Sequence, residues 1–352
     1  MLSSTTRARL RSPLSLALAG LVVLVLLAAV LGRLGGGSGD PPGAAAPPVS
    51  TRSGDPTGAP SSSSGTPTDS ATGGTVPPPY VAAAPPPIAP KPQLPGGGYQ
   101  VFAQHRFLVA YYGTAQTASM GVLGDSDPDT MFHRLMRAAR PFARPGEHIQ
   151  PVFELIVTVA DGGPGPDHVF SHDIPRGLVA QYVRAAHRHG ALLLLDLQTG
   201  RAPFPVVAKR WAWALSKPWV GLALDPEWRM GPHQVPGQVI GHVSAAEVNR
   251  TSRWLSRLVT RDQLPQKLFV LHQFRLSMLP DIGRIVHRPG LAMVQHTDGF
   301  GTRGQKLATY HAVARPHQFR QGFKLFYHWD VHRFTPQEVR RIRPRVSFVS
   351  YQ

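Results

Sequence analysis

A single (β/α)8 (TIM) barrel over residues 99–352 is the fold the sequence predicts, and three observations carry the prediction. Short apolar runs alternate with helix-patterned segments throughout this stretch. The runs are apolar at consecutive positions, as in Ala191-Leu-Leu-Leu-Leu, which marks parallel strands buried on both faces. Eight such runs occur, and about 250 residues is the usual size of an eight-unit barrel. A doubly wound open sheet is the other way to arrange the same units.

The expected strands are 107–112, 150–157, 191–197, 220–225, 267–273, 291–296, 323–327 and 346–351. Helix punctuation falls between them. Asp127-Pro128 opens one helix with a cap and an N1 proline, and Gly190 closes another after Arg188-His189. Ser244 with Glu247, and Thr335 with Glu338, have capping-box spacing.

Ahead of the barrel, Arg7, Arg9 and Arg11 precede an apolar run at residues 14–31. A run of this length reaches across most of the ~30 Å hydrocarbon layer, and its positive flank keeps the N-terminus cytoplasmic. Residues 1–34 are therefore expected to be a transmembrane signal anchor, with everything after them extracytoplasmic. Cleavage as a signal peptide, giving a secreted protein, is the alternative. Residues 35–98 are Gly, Pro, Ser, Thr and Ala with almost no large apolar residue, and so form an expected disordered linker.

The chain of 352 residues has no cysteine and a formal net charge of +17. Disulfides, thiolate metal sites, cysteine nucleophiles and a lipidated N-terminal cysteine are thereby excluded. The basic excess suits anionic lipid or an anionic wall polymer. No nucleic-acid-reading motif is present, so nucleic acid is not an expected partner. His328, Asp330 and His332 alternate as metal ligands do, but no helix-borne zinc motif accompanies them. Neither a metal nor a cofactor is expected, since no Walker loop, dinucleotide fingerprint or serine elbow is found.

Nearly every expected strand ends in polar or aromatic residues, and barrel active sites sit at the C-terminal strand ends. The candidate catalytic residues are Glu227, Asp225, Asp330, Glu154, Asp196 and Asp298. Candidate substrate-binding residues are Tyr111, Tyr112, Gln198, Trp228, His272, Gln273, Gln295, His296, Tyr327, His328 and Tyr351, with Trp329 as a further stacking platform. On the fourth strand, period-two alternation puts Gly221, Ala223, Asp225 and Glu227 on one face, with open space expected beneath the two acids. Two carboxyls so close raise the pKa of one and keep a proton available near neutrality. A structural ion pair of one acid with Arg229 or another basic side chain is the plainer reading. Lyase or aldolase chemistry lacks a strand-end lysine other than Lys324, which lies early in its expected strand.

The segment Asp225-Pro226-Glu227-Trp228, following Gly221, resembles the Asp-x-Glu strand end of chitinase-like and lysozyme-like glycoside hydrolase barrels. The domain as a whole is similar to a family of actinobacterial secreted or membrane-anchored proteins of uncharacterised activity. That likeness lies in Tyr111-Tyr112-Gly113, Leu224-Asp-Pro-Glu-Trp228, Leu271-His-Gln-Phe274, Asp298-Gly-Phe-Gly301, Phe323-Lys-Leu-Phe-Tyr327 and Tyr351-Gln352. The resemblance implies a glycoside hydrolase-like barrel acting on cell-wall or other extracellular carbohydrate. Glu227 is then the expected general acid and Asp225 its electrostatic partner, with Asp330, Glu154, Asp196 or Asp298 as second carboxylate. A non-catalytic barrel that binds wall glycan or a partner protein through the same mouth is the alternative.

Overall fold

Eight parallel strands close on themselves in the computed structural model, which describes residues 91–103 and 105–352. They are β1 (Arg106–Gly113), β2 (His148–Ala160), β4 (Leu192–Leu197), β5 (Val220–Leu224), β6 (Lys267–Gln273), β7 (Leu291–Thr297), β8 (Arg320–Leu325) and β9 (Val346–Tyr351). β1 pairs with both β2 and β9, so the eight parallel strands form a closed barrel and the open-sheet alternative falls away. A short β3 (Ser171–Asp173) runs antiparallel to the tail of β2.

Between the strands lie α1 (Pro128–Ala139), α2 (Arg176–His189), α3 (Phe204–Arg210), α4 (Ala212–Leu215), α5 (Ala245–Arg261), α6 (Arg303–Val313) and α7 (Pro336–Val339). Only two 3-10 turns link β6 to β7. The caps behave largely as their chemistry requires. Asp127 Oδ1 accepts from the amides of Asp129 and Thr130 at 3.0 Å, and Gly190 takes the left-handed φ of 65°. Thr335 and Glu338 form a full capping box. Ser244 accepts from the Glu247 amide, but the Glu247 carboxylate faces elsewhere, for a reason given below.

Seven strands lie within a few residues of expectation. The strand expected at 323–327 is displaced toward the N-terminus, to Arg320–Leu325, because the polar Arg320-Gln321-Gly322 pairs with Val294, Gln295 and His296 of β7. Tyr327 therefore lies beyond the strand, and Lys324 lies at its C-terminal end rather than early in it.

The core has two layers. Outward side chains such as Phe153, Leu195, Leu222 and Phe269 meet the helices, while Leu108, Ala110, Val152, Leu194, Ala223, Leu268, Val270, Val294 and Phe348 fill the barrel interior. Leu94 and Val101 join that interior cluster near the strand N-termini, where Gln266 N donates to Tyr99 O. The packed domain thus begins before residue 99, with Leu94 inside it although its surroundings read as linker. The space expected beneath the acids is also closed, since a Cβ on Gly221 would lie 2.4 Å from Leu268 O. Among the described residues no helix is long and apolar enough to cross a membrane. The anchor at 1–34 and the linker up to residue 90 lie outside the described residues.

Candidate functional site

Alternation along each strand decides what reaches the mouth. The last inward side chains are Tyr112, Glu154, Asp196, Asp225, His272, His296, Lys324 and Ser350, one from each barrel strand or the residue just after it, and all eight are buried. Asp298 follows β7, and Glu227 lies in the 3-10 turn Pro226–Trp228 that follows β5. β5 ends at Leu224, so Glu227 does not continue the strand alternation. Asp225 caps the turn instead, its Oδ1 accepting from the Glu227 amide at 3.2 Å. A glycine pair shapes the loop over Tyr112: Gly121, at φ 138°, passes so close that its Cβ would lie 2.4 Å from Tyr112 O.

The polar side chains form one network. Tyr112 donates its hydroxyl to Asp196 Oδ2 at 2.8 Å, and Gln198 Nε2 lies 3.3 Å from the same hydroxyl. His272 Nδ1 sits 2.9 Å from Asp298 Oδ2, and its Nε2 is 3.1 Å from Glu154 Oε1 without hydrogen-bond alignment. Lys324 Nζ donates to Asp298 Oδ2 at 3.0 Å and stands 3.4 Å from the centre of the Tyr112 ring. His296 Nε2 pairs with Ser350 Oγ at 2.8 Å. Among the described residues Glu154 Oε2, Asp196 Oδ1 and His296 Nδ1 are buried without a hydrogen-bond partner, while Glu154 Oε1 and His272 Nε2 have only each other. Buried polar atoms without partners are uncommon in folded proteins and mark places where a ligand group has something to bind. Among the described residues no three His, Asp or Glu side chains are arranged to hold a metal ion.

Charge sorts these acids into two kinds. Burial would raise Asp298, but Lys324 and His272 outweigh it and hold the carboxyl below the ordinary aspartate range. Burial also disfavours the cations of Lys324 and His272, yet the surrounding carboxylates outweigh it and raise both. The other acids are pushed the opposite way. Burial lifts Asp196 to about 6 and Asp225 well above its usual value, with neighbouring carboxylates adding to each shift. Glu227, partly exposed at the rim, is raised to about 7 by loss of solvation and by Asp298. His296 is held neutral by burial and by nearby His272.

Arg229 does not neutralise either member of the Asp225/Glu227 pair. It binds Glu247, with Nε 2.9 Å from Oε1 and Nη2 3.2 Å from Oε2, while Oε1 also accepts from Phe204 N at 2.8 Å. This clip draws Glu247 away from its own helix cap, and among the described residues Glu227 has no basic side chain within ion-pair distance.

Several expected site residues lie elsewhere. Tyr111 and Tyr351 point outward into the helix-facing core, where Tyr351 stacks on Tyr327 at 5.2 Å and Tyr111 meets both rings edge-on. They pack the wall rather than offer faces to a ligand. Gln273 and Gln295 also point outward: Gln295 bonds Gln273 Oε1 and Val313 O, each at 2.7 Å, and accepts from Arg315 N at 2.8 Å. Asp330 is paired with Lys306 at 2.8 Å and accepts from Phe326 N at 3.0 Å, which commits it to holding the loop after β8. Trp228 is half-buried and His328 exposed. Trp329, 39% exposed, shares a groove of about 470 Å³ with His328, Ser119, Asp125 and Gln352 beside the mouth.

Lys324 and Ser350 are the mouth residues that sequence reasoning missed. Counting inward positions back from Leu325 would have found Lys324, had the strand been started at Arg320. Searched against known proteins, the chain matches no family model and no curated relative.

Proposed function

We propose that the barrel hydrolyses a glycosidic bond of an extracytoplasmic glycan by carboxylate acid/base chemistry. One observation carries this reading: two neighbouring carboxyls have their pKa values driven apart, with Glu227 raised to about 7 and Asp298 kept ionised. Such a split assigns an acid and an anion to the same site. Glu227 donates its proton to the departing glycosidic oxygen as the C–O bond breaks. The Asp298 carboxylate stabilises or captures the positive charge that develops on the sugar carbon, and water then completes hydrolysis. Asp225 is largely neutral and holds the turn that carries Glu227. Lys324 serves as a fixed ammonium: its pKa is raised, opposite to what an imine-forming lysine needs. The groove beside Trp329 offers an indole face for sugar stacking.

The test is release of reducing ends from a panel of soluble wall and storage glycans. Glu227→Gln should keep its fold and lower turnover by ~10² or more, since a positioned proton donor contributes ~10² to 10⁴. The wild-type rate should fall as pH rises through about 7, where Glu227 loses its proton. No hydrolysis by the wild type across the panel, with glycan binding retained, would instead support a binding module.

The arginine-flanked run at 14–31 supports a domain tethered outside the membrane. An alkaline phosphatase reporter fused after Gln352 should then be active. A reporter active only in the cytoplasm that gave signal at the same position would reverse this.

A further inference from the structure

At the end of the barrel opposite the acids lies a groove of about 560 Å³ whose lining includes Phe102, His287, His317, Arg320, Gln321 and Arg345, and no acidic residue. Its two guanidiniums differ in their surroundings: among the described residues Arg320 lacks a carboxylate, as most arginines of the domain do, while Arg345 has one. Arg303 is neutralised by Glu338 and Arg229 by Glu247, each through two hydrogen bonds. Arg320 has no carboxylate within ion-pair distance among the described residues, and its guanidinium lies 5.1 Å from the Phe102 ring centre, which orients it. Arg345 shares Glu147 with Arg340, contacting it at 2.7 Å while its side chain stays 63% exposed. Gln321 lines the same groove, donates its Nε2 to Phe319 O at 2.9 Å and keeps a buried Oε1 without a partner.

We infer that this groove binds a phosphate ester of a small polyol. A planar guanidinium matches phosphate oxygens in pairs, and an arginine with no carboxylate of its own has donors free for that purpose. The free acceptor on Gln321 suits a hydroxyl of the same ligand. The Phe102 ring beside Arg320, with Phe319 also in the lining, adds apolar surface for a carbon skeleton. This site shares no residue with the mouth and stands whether or not the barrel hydrolyses glycans. The ligand's chemistry has two sources: a soluble polyol phosphate, or the headgroup of an anionic phospholipid.

Glycerol 3-phosphate and inorganic phosphate are titrated into the full-length chain, and the same chain is sedimented with phosphatidylcholine vesicles with and without phosphatidylglycerol. Wild type is compared with Arg320→Gln and with Arg253→Gln, which removes the same charge from an exposed site on α5. All three carry the same N-terminal segment, so their differences report the groove alone. Arg320→Gln should weaken binding at least tenfold, with Arg253→Gln close to wild type and melting temperatures unchanged. Arg320-dependent binding of glycerol 3-phosphate in preference to inorganic phosphate identifies the soluble ester. Arg320-dependent binding to phosphatidylglycerol vesicles alone identifies the lipid headgroup. Equal weakening by the two variants, or no dependence on Arg320 with any probe, overturns the inference.

Discussion

Glu227 is the residue on which the functional reading turns, and its availability depends on a side chain two positions away. Arg229 would neutralise it in a plain surface pairing, but Glu247 holds that guanidinium and the Phe204 amide together. Losing the Glu247 charge should release Arg229 toward the mouth. Glu247→Gln is expected to lower the pH at which activity declines, because a nearby cation favours the Glu227 carboxylate. Comparing pH–rate profiles of the variant and wild type checks this, and coincident profiles would count against the clip's role. Asp225 provides a stability test of opposite sign to ordinary core substitutions. Its folded pKa is raised, so between about pH 4 and that value the folded state holds a proton the unfolded chain has released, and stability falls as pH rises. Asparagine keeps the Oδ1 acceptor and does not titrate. Asp225→Asn should therefore melt above wild type at pH 8, with the difference shrinking toward pH 4.

At the scale of elements, β8 decides how the mouth is built. It supplies Lys324 to the site, and its Gly322 lets β7 and β8 come close enough for the His296 ring to lie against the backbone. A Cβ on Gly322 would lie 2.2 Å from His296 Nδ1 and 3.2 Å from His296 Cα. Gly322→Ala should displace that ring from Ser350 and destabilise the domain by about 1–3 kcal/mol, as overpacking in a filled interior does. Denaturant unfolding measures this, and an unchanged midpoint would show that the ring moves freely. Gln295 marks the other use of β7, since its outward amide ties the end of α6 through Val313 and Arg315. Of the polar residues at this strand's end, only His296 and Asp298 reach the mouth.

For the whole molecule, the charged mouth gives stability a definite pH dependence. Asp196 at about 6, Glu227 at about 7, and Asp225 all bind protons more tightly folded than unfolded. His272, raised above its ordinary value, does the same. Each of these contributions is present at lower pH and is lost as pH rises through the folded value. Other groups work against them: the depressed pKa of Asp298 gives stability above about pH 4 that is lost on further acidification, and the lowered values of His296 and of buried Lys267, at about 7, add stability as pH rises toward their unfolded values. The melting temperature should accordingly peak on the acid side of neutrality and decline from about pH 5 to pH 8. Thermal unfolding across pH 4–9 measures the curve. A plateau through this range, or a peak above pH 8, would show that the buried acids are not protonated as described.

Consecutive apolar runs and helix caps were enough to count eight strands, and the polar strand ends named Glu154, Asp196 and His272, but in one group with Gln273, Gln295, Tyr111 and Tyr351, which point outward. These are local properties of the chain, so they survive without a partner strand. The boundary of β8 was not legible in the same way, because Arg320-Gln321-Gly322 has strand geometry through its pairing with β7 and β9. Which aromatics face a ligand, which acid stays ionised and what occupies Arg229 also depend on neighbours distant in sequence. Tyr351 meets Tyr327, Asp298 meets Lys324 and His272, and Arg229 meets Glu247 only when the barrel closes. A side chain's direction follows from its own strand, but its charge follows from everything the closed barrel brings around it.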